Sequence, residues 1–202
     1  MKKVLFLTLG VVISFSCDRH HTDMMMTSMP ISFPTLTIKT TGNQDDSSQT
    51  TLKLSNLSIQ VQINGNIVTT TMDMSFYNNM DRILEGSLDF PLENEQVVSS
   101  FAMEVNGNLR QGVVVEKAKG RRTFEQIVRR KVDPGLLEMT KGNNFRARVY
   151  PIPAKGYKRI VIGYEEELDM DEKAWWYRLP LGFQEKVDSF ALEIQVKQLQ
   201  KH

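Results

Sequence analysis

The stretch TLKLSNLSIQVQINGNIVTTTMDMSFY (51–77) decides the fold. Residues 51–63 alternate apolar and polar side chains, and the phase slips once, at Ser55-Asn56. Alternation sends successive side chains to opposite faces of a strand, and a slip of one residue is what a β-bulge produces. Asn64-Gly65-Asn66 supplies residues that tolerate positive φ, so the chain reverses there. On the return, Val68, Met72, Met74 and Phe76 fall to one side, and Thr69, Thr71, Asp73 and Ser75 to the other. The stretch reads as an antiparallel hairpin with one buried face.

Working outward, the same period continues. ILEGSLDF (83–90) reads as a third strand stopped by Pro91, and VVSSFAMEVNGNLRQGVVVEK (97–117) as two strands about Asn106-Gly107-Asn108. NNFRARVYPIP (143–153), YKRIVIGYEEEL (157–168), AWWYRLPL (174–181) and VDSFALEIQV (187–196) resume the pattern after Asp133-Pro134-Gly135. The fold class expected is mainly β: an antiparallel β-sandwich or distorted barrel. One segment breaks the period. In EKAKGRRTFEQIVRRK (116–131), Phe124, Ile127 and Val128 stand at i, i+3 and i+4, which predicts one short inserted α-helix.

Composition narrows the chemistry. Among 202 residues, 25 Lys and Arg balance 24 Asp and Glu, so no global basic field draws the chain to nucleic acid. The lone cysteine is Cys17, and the histidines are His20, His21 and His202, all near a chain end. The body therefore has no residues for Ser-His-Asp or Cys-His catalysis, and none for Cys- or His-ligated metal. Neither a Gly-rich phosphate loop nor EF-hand spacing occurs, and no cofactor is expected. His20, His21 and Asp23, with Met24-Met25-Met26, read as part of a tether and not as a metal site.

The first residues, MKKVLFLTLGVVISFSC (1–17), join two lysines to an apolar run too short to span a bilayer as a helix. That is the pattern of a secretory signal. Ser14-Phe15-Ser16-Cys17 resembles the lipobox of bacterial lipoproteins, with Ser14 where Leu is usual. The resemblance implies lipidation of Cys17 and an extracytoplasmic protein anchored to the bacterial cell envelope, at the outer membrane or the periplasmic face. Residues 18–50 read as a flexible linker with a short strand at 35–40, and 51–198 as the folded domain.

The order of segments carries a second resemblance. SFYN, EGSLDFPLENEQVVSSFAMEVNG, EKAKGRRTFEQIVRR, DPGLLE, NNFRARVYPIP and IGYEEEL together resemble the VIT (vault protein inter-alpha-trypsin) domain family over about residues 55–170. The resemblance implies a β-sandwich-like domain with a short helix, acting as a protein-interaction or structural module. It also implies core roles for Phe90, Pro91, Gly120, Phe124, Ile127, Val128, Phe145 and Tyr164. VIT domains are commonly followed by a von Willebrand factor A domain whose metal site reads Asp-x-Ser-x-Ser. Here Asp45-Asp46-Ser47-Ser48-Gln49 lacks the second serine, and the residues up to His202 are expected to leave no room for such a domain. The chain is thus expected to be either a stand-alone lipoprotein-type member lacking the A domain or a piece of a longer one.

The charged clusters read mainly as solvated faces. Arg121, Arg122, Arg129, Arg130 and Lys131 gather on the predicted helix, whose only aromatic, Phe124, lies on its core side. Nucleic acid is not expected; an anionic partner such as a glycan is the alternative reading, carried by helix 117–131. Glu165-Glu166-Glu167 alternate across a strand and do not converge on a metal. Trp175 and Trp176 are expected to face opposite ways. The leading expectation is a non-enzymatic, membrane-anchored module with a protein partner and no small-molecule substrate.

Overall fold

The computed structural model describes residues 11–16, 33–39, 49–93, 95–115, 136–140, 142–171, 174–183 and 185–197. The strands up to the middle of the chain are β1 (Val11–Ser16), β2 (Thr35–Lys39), β3 (Gln49–Thr51), β4 (Lys53–Asn64), β5 (Ile67–Tyr77), β6 (Leu84–Pro91) and β7 (Val97–Val105). There follow β8 (Asn108–Gln111), β9 (Val113–Val115), β10 (Leu136–Met139), β11 (Asn144–Ile152), β12 (Tyr157–Glu167), β13 (Met170–Asp171), β14 (Ala174–Leu179) and β15 (Ser189–Lys197).

The hairpin β4–β5 forms as its sequence dictates. Pairing runs from Asn64 opposite Ile67 back to Lys53 opposite Tyr77, with one register shift between Leu54 and Asn56, at the slip in alternation. Gly65 takes φ 63° at the first central turn position, the type II′ geometry whose twist suits flanking strands. At Asn106-Gly107, both central residues have positive φ (52° and 77°), so β7–β8 closes through a type I′ turn.

Two six-stranded sheets carry the core. One has the order β3-β2-β6-β11-β10-β9 and the other β15-β4-β5-β12-β7-β8; a three-stranded sheet, β1-β14-β13, adds to them. Leu36, Leu88, Phe90, Leu137, Ala147 and Val149 of the first sheet share one buried cluster with Ile59, Met74, Phe76, Phe101, Ile160 and Ile162 of the second. Each fully buried Leu, Ile or Phe contributes about 1.5–3 kcal/mol. The rings of Phe90 and Tyr164, 6.3 Å between centroids, bridge the two sheets. Tyr177 on β14 reaches across to Thr70 on β5, where the two hydroxyls lie 2.8 Å apart.

Three expectations need correction. The sheets are mixed, because β15 runs parallel to β4 and β10 parallel to β9. After β14 the chain returns to the Ser55 end of β4, where the Asp188 N–H donates to the Ser55 carbonyl (2.8 Å), so β15 starts where β4 starts. Among the described residues none of the three sheets closes on itself, so they form no closed barrel. The short strand expected at 35–40 is β2, but it belongs to the folded body and not to a linker: it pairs with β6, and its Leu36 and Ile38 are fully buried. The predicted helix lies outside the described residues.

A glycine lets the middle of β12 approach its neighbour closely. A Cβ at Gly163 would collide with Ser100 Oγ, at the point where the β12–β7 register shifts. The missing side chain lets β7 bulge there without displacing Tyr164 from the core.

Candidate functional site

The residues singled out from the sequence divide into two groups. Phe90 and Phe145 are register partners on β6 and β11, and both are buried, as is Tyr164 on β12; Pro91 is half-buried at the end of β6. Cys17, Gly120, Phe124, Ile127 and Val128 lie outside the described residues, with Arg121, Arg122, Arg129, Arg130 and Lys131. Trp175 packs against the core and Trp176, one residue on, is half-buried. On the outer faces, Arg146 pairs with Asp89, Arg148 with Glu85 and Arg159 with Asp73, each at 2.6 Å. The Arg148 hydrogen bond holds the Glu85 carboxyl below its usual range, and Asp73 raises Arg159. These cross-strand pairs are exposed and contribute at most about 1 kcal/mol each. Among the described residues no three His, Cys, Asp or Glu side chains gather as a metal site. No helix there is long and apolar enough to cross a membrane, which says nothing of strands.

The most unusual surface is an edge that the sequence reading passed over. Phe190, Leu192, Ile194 and Val196 of β15 are in register with Leu57, Ile59, Val61 and Ile63 of β4, and therefore share the core-facing side of the sheet. The β4 residues are buried, whereas Phe190, Leu192 and Val196 are 37%, 36% and 44% exposed. Apolar side chains continue one strand beyond the layer that covers them. Beside this strip a cavity of about 270 Å³ opens between Phe33, Leu52, Leu54, Phe76, Phe183 and Val187, with Glu185 in its wall. Aromatic contacts link cavity and strip: Phe33 to Phe183 at 5.1 Å, and Phe183 to Phe190 at 5.8 Å. The alternation of VDSFALEIQV shows one apolar face, but nothing local tells whether that face is covered.

The profile of the vault protein inter-alpha-trypsin domain matches residues 54–164, more than half of the chain. The chain belongs to the VIT family. A von Willebrand factor A domain-containing protein of Dictyostelium discoideum is 26% identical over 113 residues, which take in 56% of this chain and 12% of that protein. The chain thus corresponds to only a small part of that relative's length. Both β15 and the Phe33–Phe183 contact lie outside the span matched by the VIT profile.

On β12, two ionisable side chains face inward. Lys158 is almost completely buried, and its Nζ donates to the Glu104 carbonyl at 2.5 Å. Burial lowers it to about 8, against a smaller upward pull from the Glu104 carboxylate. Glu166 lies on the same face near the other end of the strand. Burial pushes it up to about 7; the hydrogen bond from Gln96 Nε2 (3.2 Å) opposes this, and the Glu93 and Glu95 carboxylates add to it. The loop after β6 that holds Gln96 is tied down by Asn143 Nδ2, which donates to the Glu93 and Gln96 carbonyls at 2.5 Å each. Next to Glu166, the Thr70 and Tyr177 hydroxyls share a hydrogen bond with Tyr164 beside them, and burial pushes both phenols well above their ordinary value.

Sequence reasoning missed both groups, although strand phase marks them. Lys158 is in phase with Ile160 and Ile162, and Glu166 with Tyr164 and Leu168. Eight residues of strand separate the two by about 26 Å, so they do not form an acid–base pair.

Proposed function

We propose that this VIT domain is a non-enzymatic protein-interaction module, held on the extracytoplasmic side of a bacterial membrane by lipid on Cys17. The observation that carries the interaction reading is the β15 edge. Its half-exposed apolar residues and the adjoining aromatic-lined cavity offer contact area and a recess for a partner's side chain. The anchor rests on the basic, apolar, lipobox-like order of residues 1–17; processing before Cys17 removes β1, so that among the described strands β14 then pairs with β13 alone. Acyl chains contribute about 0.8 kcal/mol per buried CH₂, so a multiply acylated cysteine holds firmly where a single chain does not. The non-enzymatic reading is supported by the separation of Lys158, buried at one end of β12, from Glu166, half-buried near the other. The anionic-partner alternative depends on residues 117–131, and no described feature favours it.

The test is fractionation of cells producing the full chain. Cys17→Ser is expected to move the protein from membranes to the soluble fraction and to abolish labelling by a radioactive fatty acid. Unchanged membrane association would overturn the anchor.

A further inference from the structure

The six-stranded sheet that ends in β15 has two edges, and they are built differently. At one edge β8 is four residues long, NLRQ, fully exposed and carrying Arg110; the Gly112 N–H then folds back onto the Phe101 carbonyl (2.8 Å). Short length, charge and a local bend are the usual protections against strand addition. At the other edge β15 is nine residues long, stays in unbroken register with β4, and carries only two charges, Glu193 and Lys197, of opposite sign. Among the described residues it pairs with β4 alone, and four apolar residues line its inner face.

The side chains of β15 indicate what that edge accepts. Its only charged residues are Glu193 and Lys197, of opposite sign, on the outer face with Gln195 between them. In the single chain Gln195 Nε2 donates to Glu193 Oε1 at 2.7 Å. Two copies of this strand, antiparallel about a two-fold axis, have few acceptable registers. Centred on Glu193, the two carboxylates stand directly opposite each other, which is unfavourable. Centred on Gln195, the overlap shrinks to residues 193–197. Centred on Ile194, the register sets Ile194 against its own copy and Leu192 against Val196. It also sets Glu193 against Gln195, with Lys197 on the diagonal. This register opposes no like charges directly; centring on Leu192 gives an overlap of the same length but leaves Lys197 beyond it, so that nothing offsets the diagonal approach of Glu193 to its own copy.

We propose that β15 is a self-association strand: two copies of the chain pair β15 to β15, antiparallel about Ile194, and join their sheets into one. The inference rests on the interaction-module reading and names the partner as a second copy. It does not depend on the anchor, and a strand pairing of this kind adds main-chain hydrogen bonds to side-chain fit. An isologous contact of this form closes on itself, so assembly stops at two.

The experiment uses the full chain in a Cys17→Ser background, so that the lone native cysteine does not react and the outcome is separate from membrane release. Ile194→Cys is treated with a short bis-maleimide, alongside Arg110→Cys on the opposite edge. Cross-linked dimer from Ile194→Cys and none from Arg110→Cys is expected. In sedimentation equilibrium, Glu193→Lys is expected to weaken the dimer about tenfold, because it gathers lysines around the axis, and adding Lys197→Glu to restore it. Unfolding curves establish that each variant is folded. A chain that stays monomeric at all concentrations, equal cross-linking at both edges, or no response to the charge exchange overturns the proposal. Membrane release by Cys17→Ser with an intact dimer supports both readings; retention with an intact dimer overturns the anchor alone.

Discussion

The two ends of β12 solve the same problem in opposite ways. At one end a lysine faces the core, its ammonium held by a single carbonyl of β7; at the other a glutamate faces it, beside three hydroxyls and two further carboxylates. Burial penalises the charged form in both cases, but the penalties fall on opposite sides of neutrality. Glu166 has a folded value above its unfolded 4.5, so the stability it favours is fully present below about 4.5 and is lost as pH rises through about 7. Lys158 has a folded value below its unfolded 10.5, so its contribution is present above about 10.5 and is lost as pH falls through about 8. Between about 7 and 8 both groups are charged and both oppose folding.

The comparison can be broken most severely at its apolar wall. Phe76 stands opposite Lys158 on β5, fully buried. Phe76→Ala is expected to cost about 3–5 kcal/mol in denaturant unfolding. By admitting water it should also move the Lys158 amine back toward 10.5, read by NMR of ¹⁵N-labelled lysine. The Glu166 end, near the opposite end of the strand, should not respond.

A smaller effect sharpens the acid side. Glu166→Gln keeps the acceptor for Gln96 and removes the half-buried charge. It is expected to stabilise the protein by about 2–3 kcal/mol at pH 8, from a shift worth about 1.4 kcal/mol per unit, and to do nothing at pH 4. Equal stabilisation at both pH values would mean that the charge is not the cause. The smallest expected change is at the neighbouring hydroxyls. Tyr177→Phe removes one member of the buried network and should cost about 1 kcal/mol, with little dependence on pH below 9.

The sequence was informative where neighbours in the chain are neighbours in space. The β4–β5 hairpin, its bulge at Ser55 and its turn at Gly65 follow from alternation and turn chemistry, both local. The VIT pattern was legible for the same reason, since it is an order of short segments. What stayed hidden depends on distant partners. Residues 35–39 read as a short strand within a linker because β6, the strand they pair with, lies far along the chain. Glu166 read as solvated because three glutamates in a row mask the phase set by Tyr164 and Leu168. The direction of β15 is invisible in its own residues, because parallel and antiparallel edge strands alternate alike.

That direction also sets the order in which the molecule is completed. β4 meets β5 across a two-residue turn, but its other edge waits for β15, where Asn56 is joined to Ser189 more than a hundred residues later. Pairings so distant in sequence form slowly, since a long loop must close before any contact rewards it. During vectorial synthesis the centre of the sheet therefore exists before its border does. A chain arrested short of Ser189 would carry β4 itself as a bare edge, with Leu57, Ile59, Val61 and Ile63 beside it.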